Sequence, residues 1–300
     1  MSQSSVRVSV PRAALRCPVI VLLLILCLLS TTAGCGVREG PPRSQKLKIV
    51  APHVLERACS EIHQEFLADH PEVDIEFEVA LIDELCDELA AGRGSGDILL
   101  MMDGPEMRLV EPGGLVDAAH KNRFGEMQVI IAAAKGNPKQ IESLQDLARA
   151  DVEQIAIPDP TRDSAGWAVA SALKKERLWE QVEPKLVVAV SPHTACELAE
   201  QGKVDAAITY APCVMFGHSN MTLCLATFLR EHASEDIGVV AIPFAATDNP
   251  MVDAYLDFLT SDRAQAILSK LAIRPVKEAS LENAAISTAT ARRRIEAARS

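Results

Sequence analysis

Strand-like and helix-like patterns alternate along most of the chain, from about residue 46 to residue 275. "LKIVA" is an apolar run typical of a buried strand, and Leu55 to Asp69 repeats apolar residues at helical spacing. "HPEVDIEFEVA" alternates apolar and polar residues, as a half-buried strand does, and a second helix is predicted from Ile82 to a stop at Gly92. This order predicts an α/β fold whose sheets are rich in parallel strands and flanked by helices.

The alternation continues to the end of this region, which is long enough for one large or two medium domains. Further strands are predicted at "GDILLMM", "MQVIIAAAKGNPK", "QIAIPDP", "KLVVAV", "DAAITYA" and "DIGVVAIPFA". Further helices are predicted at "PEMRLV", "IESLQDLARA", "SAGWAVASALKKERLW" and "HTACELAEQGK", and as a closing pair in "NPMVDAYLDFLTSDRAQAILSKLAI".

The first 34 residues have the pattern of an export signal. Three arginines precede the apolar run from Val19 to Leu29, and small residues follow it in "STTAGC". Eleven apolar residues are too few to span a bilayer comfortably, which favours a cleaved signal over the alternative of a permanent anchor. "TAGC" resembles a bacterial lipobox, which implies lipidation of Cys35 and attachment to a membrane surface. Residues 35–45 then form a polar tether.

Charge and motifs exclude several classes of function. The formal net charge is −11, and the basic run "ARRRIEAAR" lies in the tail 277–300, where a frayed helix is expected, so nucleic acid is not a predicted partner. No nucleophile elbow, zinc-protease, P-loop or dinucleotide-binding motif is present, so we predict a protein that is not an enzyme and has no cofactor.

Five cysteines remain after those of the signal and the lipidation site. Cys59 with Cys86 and Cys213 with Cys224 are plausible disulfide pairs, and Cys196 would stay single; buried thiols are the equally weighted alternative. The chain has no C-x-x-C pattern, which argues against structural zinc.

Six segments in order resemble one family. "HPEVDIEFE", "GDILLMMDG", "IIAAAKGNPKQIESLQDLA", "IAIPDPTRDSAGWAVASALKKERLWEQVEPKLV", "GKVDAAITYA" and the closing helical pair are similar to the extracellular solute-binding component of molybdate ABC transporters. The resemblance implies the type II periplasmic-binding-protein fold, with hinge strands between two lobes, residues 46–124 plus 227–276 and residues 125–226. It also implies a monomer that delivers an oxyanion, molybdate or tungstate, to an ABC permease.

A tetrahedral oxyanion loses its water on binding and needs donors already aimed at its oxygens. Backbone N–H groups at helix N-termini and hydroxyls supply them. Four junctions after predicted strands are candidates: Pro52 to Leu55, Ala80 to Asp83, Thr161 to Gly166, and Tyr210 to Cys213.

The first two junctions depart from the family pattern. Where the resemblance implies a serine at each, this chain has Val54 in one and Ala80, Leu81 and Ile82 in the other. Pro52 has no N–H, so the expected contacts are the backbone groups of Val54, Leu55, Leu81 and Ile82.

The third and fourth junctions match the family pattern more closely than the first two. Ser164 is expected to cap a helix, and Ala165 with Gly166 would allow close backbone approach to a ligand. Thr161 is a possible donor, and Arg162 is either a solvated surface charge or a cation beside the dianion. Tyr210 matches the tyrosine that contacts the oxyanion in the family, although a tyrosine can also simply finish a strand.

Two alternatives remain open at this point. The same fold could bind another small anion or polar solute, since fold alone does not name the ligand. A transition-metal-binding protein is the other, with His53, His193, Tyr210 and His218 as candidate ligands. Each reading places the protein outside the cytoplasm, on the periplasmic or exterior face of a membrane.

Overall fold

The computed structural model describes residues 45–217, 221–225 and 237–276. In this part of the chain the strands are β1 (Gln45–Pro52), β2 (Val73–Ala80), β3 (Ile98–Met102), β4 (Asn122–Met127), β5 (Val129–Ala134), β6 (Ile155–Pro158), β7 (Leu186–Ala189), β8 (Ala206–Tyr210), β9 (Met221–Leu225), β10 (Ile237–Pro243) and β11 (Ile273–Pro275). The α-helices are α1 (Glu56–Asp69), α2 (Ile82–Ala90), α3 (Pro105–Val110), α4 (Ser164–Lys175), α5 (Trp179–Val182), α6 (Pro192–Glu200), α7 (Met251–Leu259) and α8 (Asp262–Lys270).

The strands form two sheets. The first has six strands in the order β11-β4-β10-β3-β1-β2, and the second has five in the order β7-β6-β8-β5-β9. The α/β class with helices flanking the sheets is confirmed. Each sheet is mixed, however: β1 runs parallel to β2 and β3, and β6 runs parallel to β7 and β8, whereas β4, β5, β9, β10 and β11 pair antiparallel. The parallel strands are those that a helix connects, since parallel neighbours need a crossover.

The chain passes from one sheet to the other at Gln128. β4 belongs to the first sheet and β5 to the second. The strand predicted at "MQVIIAAAKGNPK" forms as β5, whereas β4 was not predicted. The return falls between β9 and β10, within residues 226–236, outside the described residues. The predicted lobe boundaries, 46–124 plus 227–276 and 125–226, stay a prediction.

Burial along each strand follows the position of that strand in its sheet. Every residue of β3 and of β6 is buried, because helices cover both faces of these central strands. β2 lies at the edge of its sheet, and along most of its length buried or half-buried residues alternate with exposed ones, as its sequence predicted. Phe66 on α1 is fully buried and packs edge-on against Tyr255 and Phe258 of α7.

Helix bounds follow the sequence signals closely at some ends and not at others. α2 stops beside Gly92, which has a φ of 70° and donates its N–H to Leu89, as a C-terminal glycine does. The helix predicted at "IESLQDLARA" is wrong: only a 3₁₀ turn forms, Leu144–Ala148, with a capping box between Ser143 and Asp146.

The described cysteines are free thiols. Cys59, Cys86 and Cys196 are buried and Cys213 is half-buried, so the predicted pairing of Cys59 with Cys86 is wrong, and Cys213 is likewise unpaired. Burial raises the pKa of Cys86 to about 12 and that of Cys213 to about 11, which keeps both thiols protonated. The side chain of Cys224 lies outside the described residues.

Within the same described residues, no helix has the length and apolar character needed to cross a membrane. The predicted signal 1–34, Cys35, His218 and the tail 277–300 lie outside the described residues.

Candidate functional site

A narrow cleft lies where strands of the two sheets end. It begins directly after β1 and β2 of the first sheet and just beyond β7 of the second, the edge at which α/β proteins commonly bind ligands. The cleft offers about 30 Å³ to the centres of water-sized molecules, and a water needs roughly 10–15 Å³. It is lined by His53, Val54, Leu81, Ile82, Ser191, Pro192, His193 and Cys213.

The first-sheet wall combines apolar side chains with unoccupied helix starts. His53 and Val54 lie in a 3₁₀ turn before α1, and Ile82 is the first residue of α2. Leu81 occupies the N-cap position of α2 and offers no side-chain hydrogen bond. The first N–H groups of a helix have no acceptor within it, so α2 presents backbone donors beside an otherwise apolar surface.

The second-sheet wall comes from the start of α6 and the turn after β8. The Ser191 hydroxyl accepts the N–H of Thr194 at 3.1 Å and so caps α6. The rings of His53 and His193 face each other across the cleft with centroids 5.7 Å apart. Among the residues that the structure describes, no lysine or arginine lines the cleft, so the backbone N–H groups at the helix starts are its positively polarised groups.

Ser164 and Ala165 lie at the start of α4 but are fully buried and do not line this cleft. The prediction that Ser164 caps the helix is wrong: Asp163 is the N-cap, and its Oδ1 accepts the N–H of Ala165 at 2.7 Å and of Gly166 at 3.4 Å. Aspartate caps at least as well as serine, and here it stands one residue earlier.

Gly166 has a packing role. A Cβ at this position would lie 2.1 Å from the carbonyl oxygen of Pro158, so its lack of a side chain lets α4 pack directly onto the end of β6. The close approach predicted for a ligand is therefore made by the chain's own backbone.

Glu106, on α3, reaches the same helix start from the first-sheet side. Its Oε1 accepts the N–H of Ser164 at 2.7 Å, and its Oε2 accepts the Ser164 hydroxyl at 2.5 Å. Glu106 is fully buried, and a Cβ on the neighbouring Gly104 would lie 2.0 Å from the Ser164 oxygen. The close packing of Gly104 lets the carboxylate and the helix start meet.

The buried carboxyls favour their neutral forms. Burial raises the pKa of Glu106 to about 8, and the nearby Asp163 adds to this. Burial also raises the pKa of Asp163 to about 7, against the lowering effect of the backbone N–H groups it accepts. Asp163 Oδ2 has no hydrogen-bond partner within the described part of the chain.

Tyr210 ends β8 and is fully buried beside these acids. Its hydroxyl donates to Asp163 Oδ1 over 3.5 Å, a long hydrogen bond that a better acceptor would readily replace. Leu55, by contrast, is part of the main apolar core, and only its backbone could serve a ligand.

Thr161 and Arg162 are occupied by neighbouring acids. Both the N–H and the hydroxyl of Thr161 donate to Asp159, at 2.8 and 2.7 Å. Arg162 donates to Asp83 at 3.1 Å and to Asp87 at 2.5 Å, both on α2. The one cation predicted beside the ligand is thus neutralised by the chain itself.

The metal-binding alternative finds no cluster in the described residues. No group of three or more histidine, cysteine, aspartate or glutamate side chains there could hold a metal ion. His53 contacts Glu56 at 3.2 Å and His193 contacts Glu197 at 3.6 Å, each pair on its own helix start. His218 lies outside the described residues.

Sequence reasoning missed Glu106, Ser191 and Pro192, and it included Asp163 and Cys213 in candidate junctions without giving either a role. The "SPHT" segment has the usual sequence signal of a helix start, a serine cap followed by proline. Ser191 and Pro192 could therefore have been identified from the sequence. Glu106 gave no such signal, since a glutamate after a strand is most often solvated.

A sequence profile of bacterial extracellular solute-binding proteins matches residues 47–271. The chain belongs to this family. It is a family of solute-binding proteins without enzymatic activity, so the prediction that the protein is not an enzyme is confirmed.

Two relatives add detail. Over 134 residues the chain is 33% identical to the molybdate-binding protein ModA of Mycobacterium bovis, an alignment that covers 42% of this chain and 51% of the relative. It is 24% identical over 181 residues to YvgL of Bacillus subtilis, named as an ABC transporter substrate-binding lipoprotein, covering 59% and 68%. The chain thus spans about half the length of the mycobacterial relative.

The fold has a solved counterpart in the periplasmic molybdate-binding protein of Azotobacter vinelandii. The TM-score is 0.62 at 14% identity, covering 77% of this chain and 100% of that one. The predicted resemblance to molybdate-binding proteins and the predicted periplasmic-binding-protein fold are both confirmed.

Proposed function

We propose that the protein is the solute-binding component of an ABC importer and that it captures an oxyanion of the molybdate or tungstate type in the cleft between its two sheets. The observation that carries this proposal is the convergence of segments from both sheets on that cleft, with the uncapped start of α2 aimed at it. Molybdate-binding relatives support the choice of oxyanion. We also propose the two lobes, 46–124 plus 227–276 and 125–226, as the bodies that close on the solute.

The cleft has groups that can hold an anion although no lysine or arginine of the described residues lines it. Backbone N–H groups at a helix start carry partial positive charge and hold a desolvated anion well. The proposed contacts are the backbone groups of Val54, Leu55, Leu81 and Ile82, together with Ser164, Ala165 and the Tyr210 hydroxyl. His53 and His193, which line the cleft, are proposed as additional contacts.

Titration calorimetry of the full-length chain, purified in detergent, tests this against molybdate, tungstate, sulfate and phosphate. We expect saturable binding of molybdate or tungstate. No heat from any of the four anions would overturn the oxyanion proposal.

A backbone variant sharpens the test. Ile82→Pro removes the N–H of the first residue of α2, a position where proline is tolerated, and the preceding Leu81 already has the extended conformation that proline requires. Ile82→Val is the matched control, because it keeps the N–H and trims the side chain similarly. We expect the proline variant alone to lose about one to two decades of affinity. Equal affinities would remove this N–H from the site.

A second candidate is the capture of another small anion or polar solute. The apolar Val54, Leu81 and Ile82 line the cleft where hydroxyls are expected for molybdate, and this favours a changed ligand. Val54→Ser distinguishes the two functions. Molybdate binding that is weak in the parent chain and gained in this variant would favour the changed ligand.

We further propose export and attachment to a membrane through lipidated Cys35, with the solute side facing the periplasm or cell exterior. The lipoprotein relative supports this. Cys35→Ser should move the protein from the membrane fraction to the soluble fraction, since several acyl chains supply durable anchoring and the tether supplies little. A variant that stays on membranes would favour an uncleaved N-terminal anchor.

A further inference from the structure

The start of α4 is already occupied by a carboxyl group that the chain supplies itself. Glu106 lies on the first-sheet side and Ser164 on the second-sheet side, 58 residues apart in sequence, and both carboxylate oxygens accept hydrogen bonds from Ser164. A carboxylate held by a backbone N–H and a hydroxyl at a helix start occupies the geometry that an oxyanion would use.

This position adjoins the cleft. Tyr210 ends β8, three residues before Cys213 of the cleft wall, and donates its hydroxyl to Asp163 at the start of α4 over 3.5 Å. Arg162, just before α4, donates at 3.1 Å to Asp83, which follows the cleft residue Ile82 at the start of α2. An anion bound among the starts of α2 and α4 would therefore lie near the Glu106 carboxylate.

The groups that face Glu106 are acidic or neutral. Asp163 and Ser164 come from the start of α4, Tyr210 from β8 and Cys86 from α2, with Asp83 acting on Asp163 from the same helix. No ion pair joins Glu106 to a lysine or arginine in the described ranges, and the nearby Arg162 is shared between Asp83 and Asp87. An ionised Glu106 would therefore repel an incoming dianion in a site of low dielectric.

We propose that Glu106 is a tethered competitor for the solute at the start of α4, so that an oxyanion binds there only when the Glu106 carboxyl is protonated. This inference rests on the proposed oxyanion function and adds that solute binding is coupled to the uptake of one proton by Glu106. The proton is taken from solvent and neutralises the side chain, after which the N–H and hydroxyl of Ser164 are free to turn to the solute.

The raised pKa of the Glu106 carboxyl sets the pH range in which the affinity for the solute changes. With the pKa of Glu106 near 8, the competitor is mostly neutral at pH 7 and mostly ionised at pH 9. One-proton linkage then lowers the apparent affinity about tenfold between these two pH values. Molybdate is a dianion throughout this range, so its own titration does not contribute.

Calorimetry on the full-length chain, with molybdate and tungstate as probes, tests the proposal. Titrations at pH 6.5, 8 and 9, each in two buffers of different ionisation enthalpy, give both the affinity and the number of protons taken up. We expect uptake near zero at pH 6.5 and about half a proton or more at pH 8. This measurement needs no variant, so it does not depend on how a substitution folds.

Glu106→Gln should bind molybdate about tenfold more tightly than wild type at pH 9 and should have a weaker pH dependence from pH 6.5 to 9, because only Asp163 still titrates there. Glu180→Gln, which removes the same charge from an exposed position, is the control and should follow wild type. If molybdate binds without proton uptake and Glu106→Gln does not change its affinity, then Glu106 does not compete with the solute. The oxyanion function would still stand. Binding to neither protein at any pH overturns the oxyanion function and the competition together.

Discussion

The starts of α2 and α4 both follow loops beside the cleft region, but they differ in capping and in surroundings. α2 begins at Leu81 without a side-chain cap and opens into the cleft, so its first N–H groups are available to a ligand. α4 begins at Asp163 with a side-chain cap, is buried, and holds the Glu106 carboxylate as well. A helix start therefore becomes a binding site only where neighbouring elements leave its donors unoccupied.

The close packing of α4 against β6 is expected to give the largest effect on stability, and Gly166→Ala tests this packing. The added methyl group would lie 2.1 Å from the Pro158 carbonyl oxygen, which is backbone and cannot move aside without shifting β6. We expect a loss of about 3 kcal/mol or more in unfolding free energy, measured by chemical denaturation. Ser171→Ala on the same helix should change little; a comparable loss there would show that α4 is sensitive to any substitution.

The Tyr210 hydroxyl can be used to test whether the solute contacts the start of α4. Its hydroxyl makes only a 3.5 Å hydrogen bond to Asp163, so Tyr210→Phe should change the unfolding free energy little. If the hydroxyl turns to the oxyanion, the same variant should lose about 1.5–3 kcal/mol of binding free energy, one to two decades of affinity by calorimetry. An unchanged affinity would place the solute on the α2 side alone.

The buried acids predict a pH dependence of stability with a definite sign. The pKa of Glu106 is raised from its model-peptide value to about 8, so its contribution to stability is fully present at low pH and is lost as pH rises from about 4.5 through 8. The slope is at most about 1.4 kcal/mol per pH unit. Burial lowers the pKa of His63 to about 4, which gives the opposite slope at acid pH.

Comparing wild type with Glu106→Gln isolates the acid, because both proteins retain His63. We expect the stability of the variant to fall less between pH 5 and pH 9 in denaturant titrations. Parallel curves for the two proteins would mean that Glu106 titrates normally and that the α4 start is less buried than its contacts indicate.

Arg162 is expected to have the smallest effect. It joins the two helix starts, since it precedes α4 and pairs with Asp83 and Asp87 on α2, yet its side chain is 30% exposed. Exposed ion pairs contribute less than about 1 kcal/mol, so Arg162→Ala should cost no more than that in unfolding free energy. Arg93→Ala, which breaks the exposed pair with Glu88, is the matched control. A loss several times larger at Arg162 would assign it a structural role between the sheets.

Local patterns in the sequence determined the class of fold and most of its elements. Helical spacing from Leu55 to Asp69 and alternation in "VDIEFEVA" depend on neighbours along the chain, and both elements form at those positions. The antiparallel β4 was not predicted, because its sequence, "NRFGEM", has neither an apolar run nor a regular alternation.

Only the tertiary structure decided which helix starts are free. The sequence placed His53, Val54, Leu81 and Ile82 at junctions and named His193 as a candidate metal ligand, and all five line the cleft. It could not place Glu106 against Ser164, because that contact joins residues 58 positions apart and depends on how α3 packs on α4. Donors that look identical in sequence differ in the folded protein, since a buried carboxylate from elsewhere in the chain satisfies one set and leaves the other exposed to the cleft.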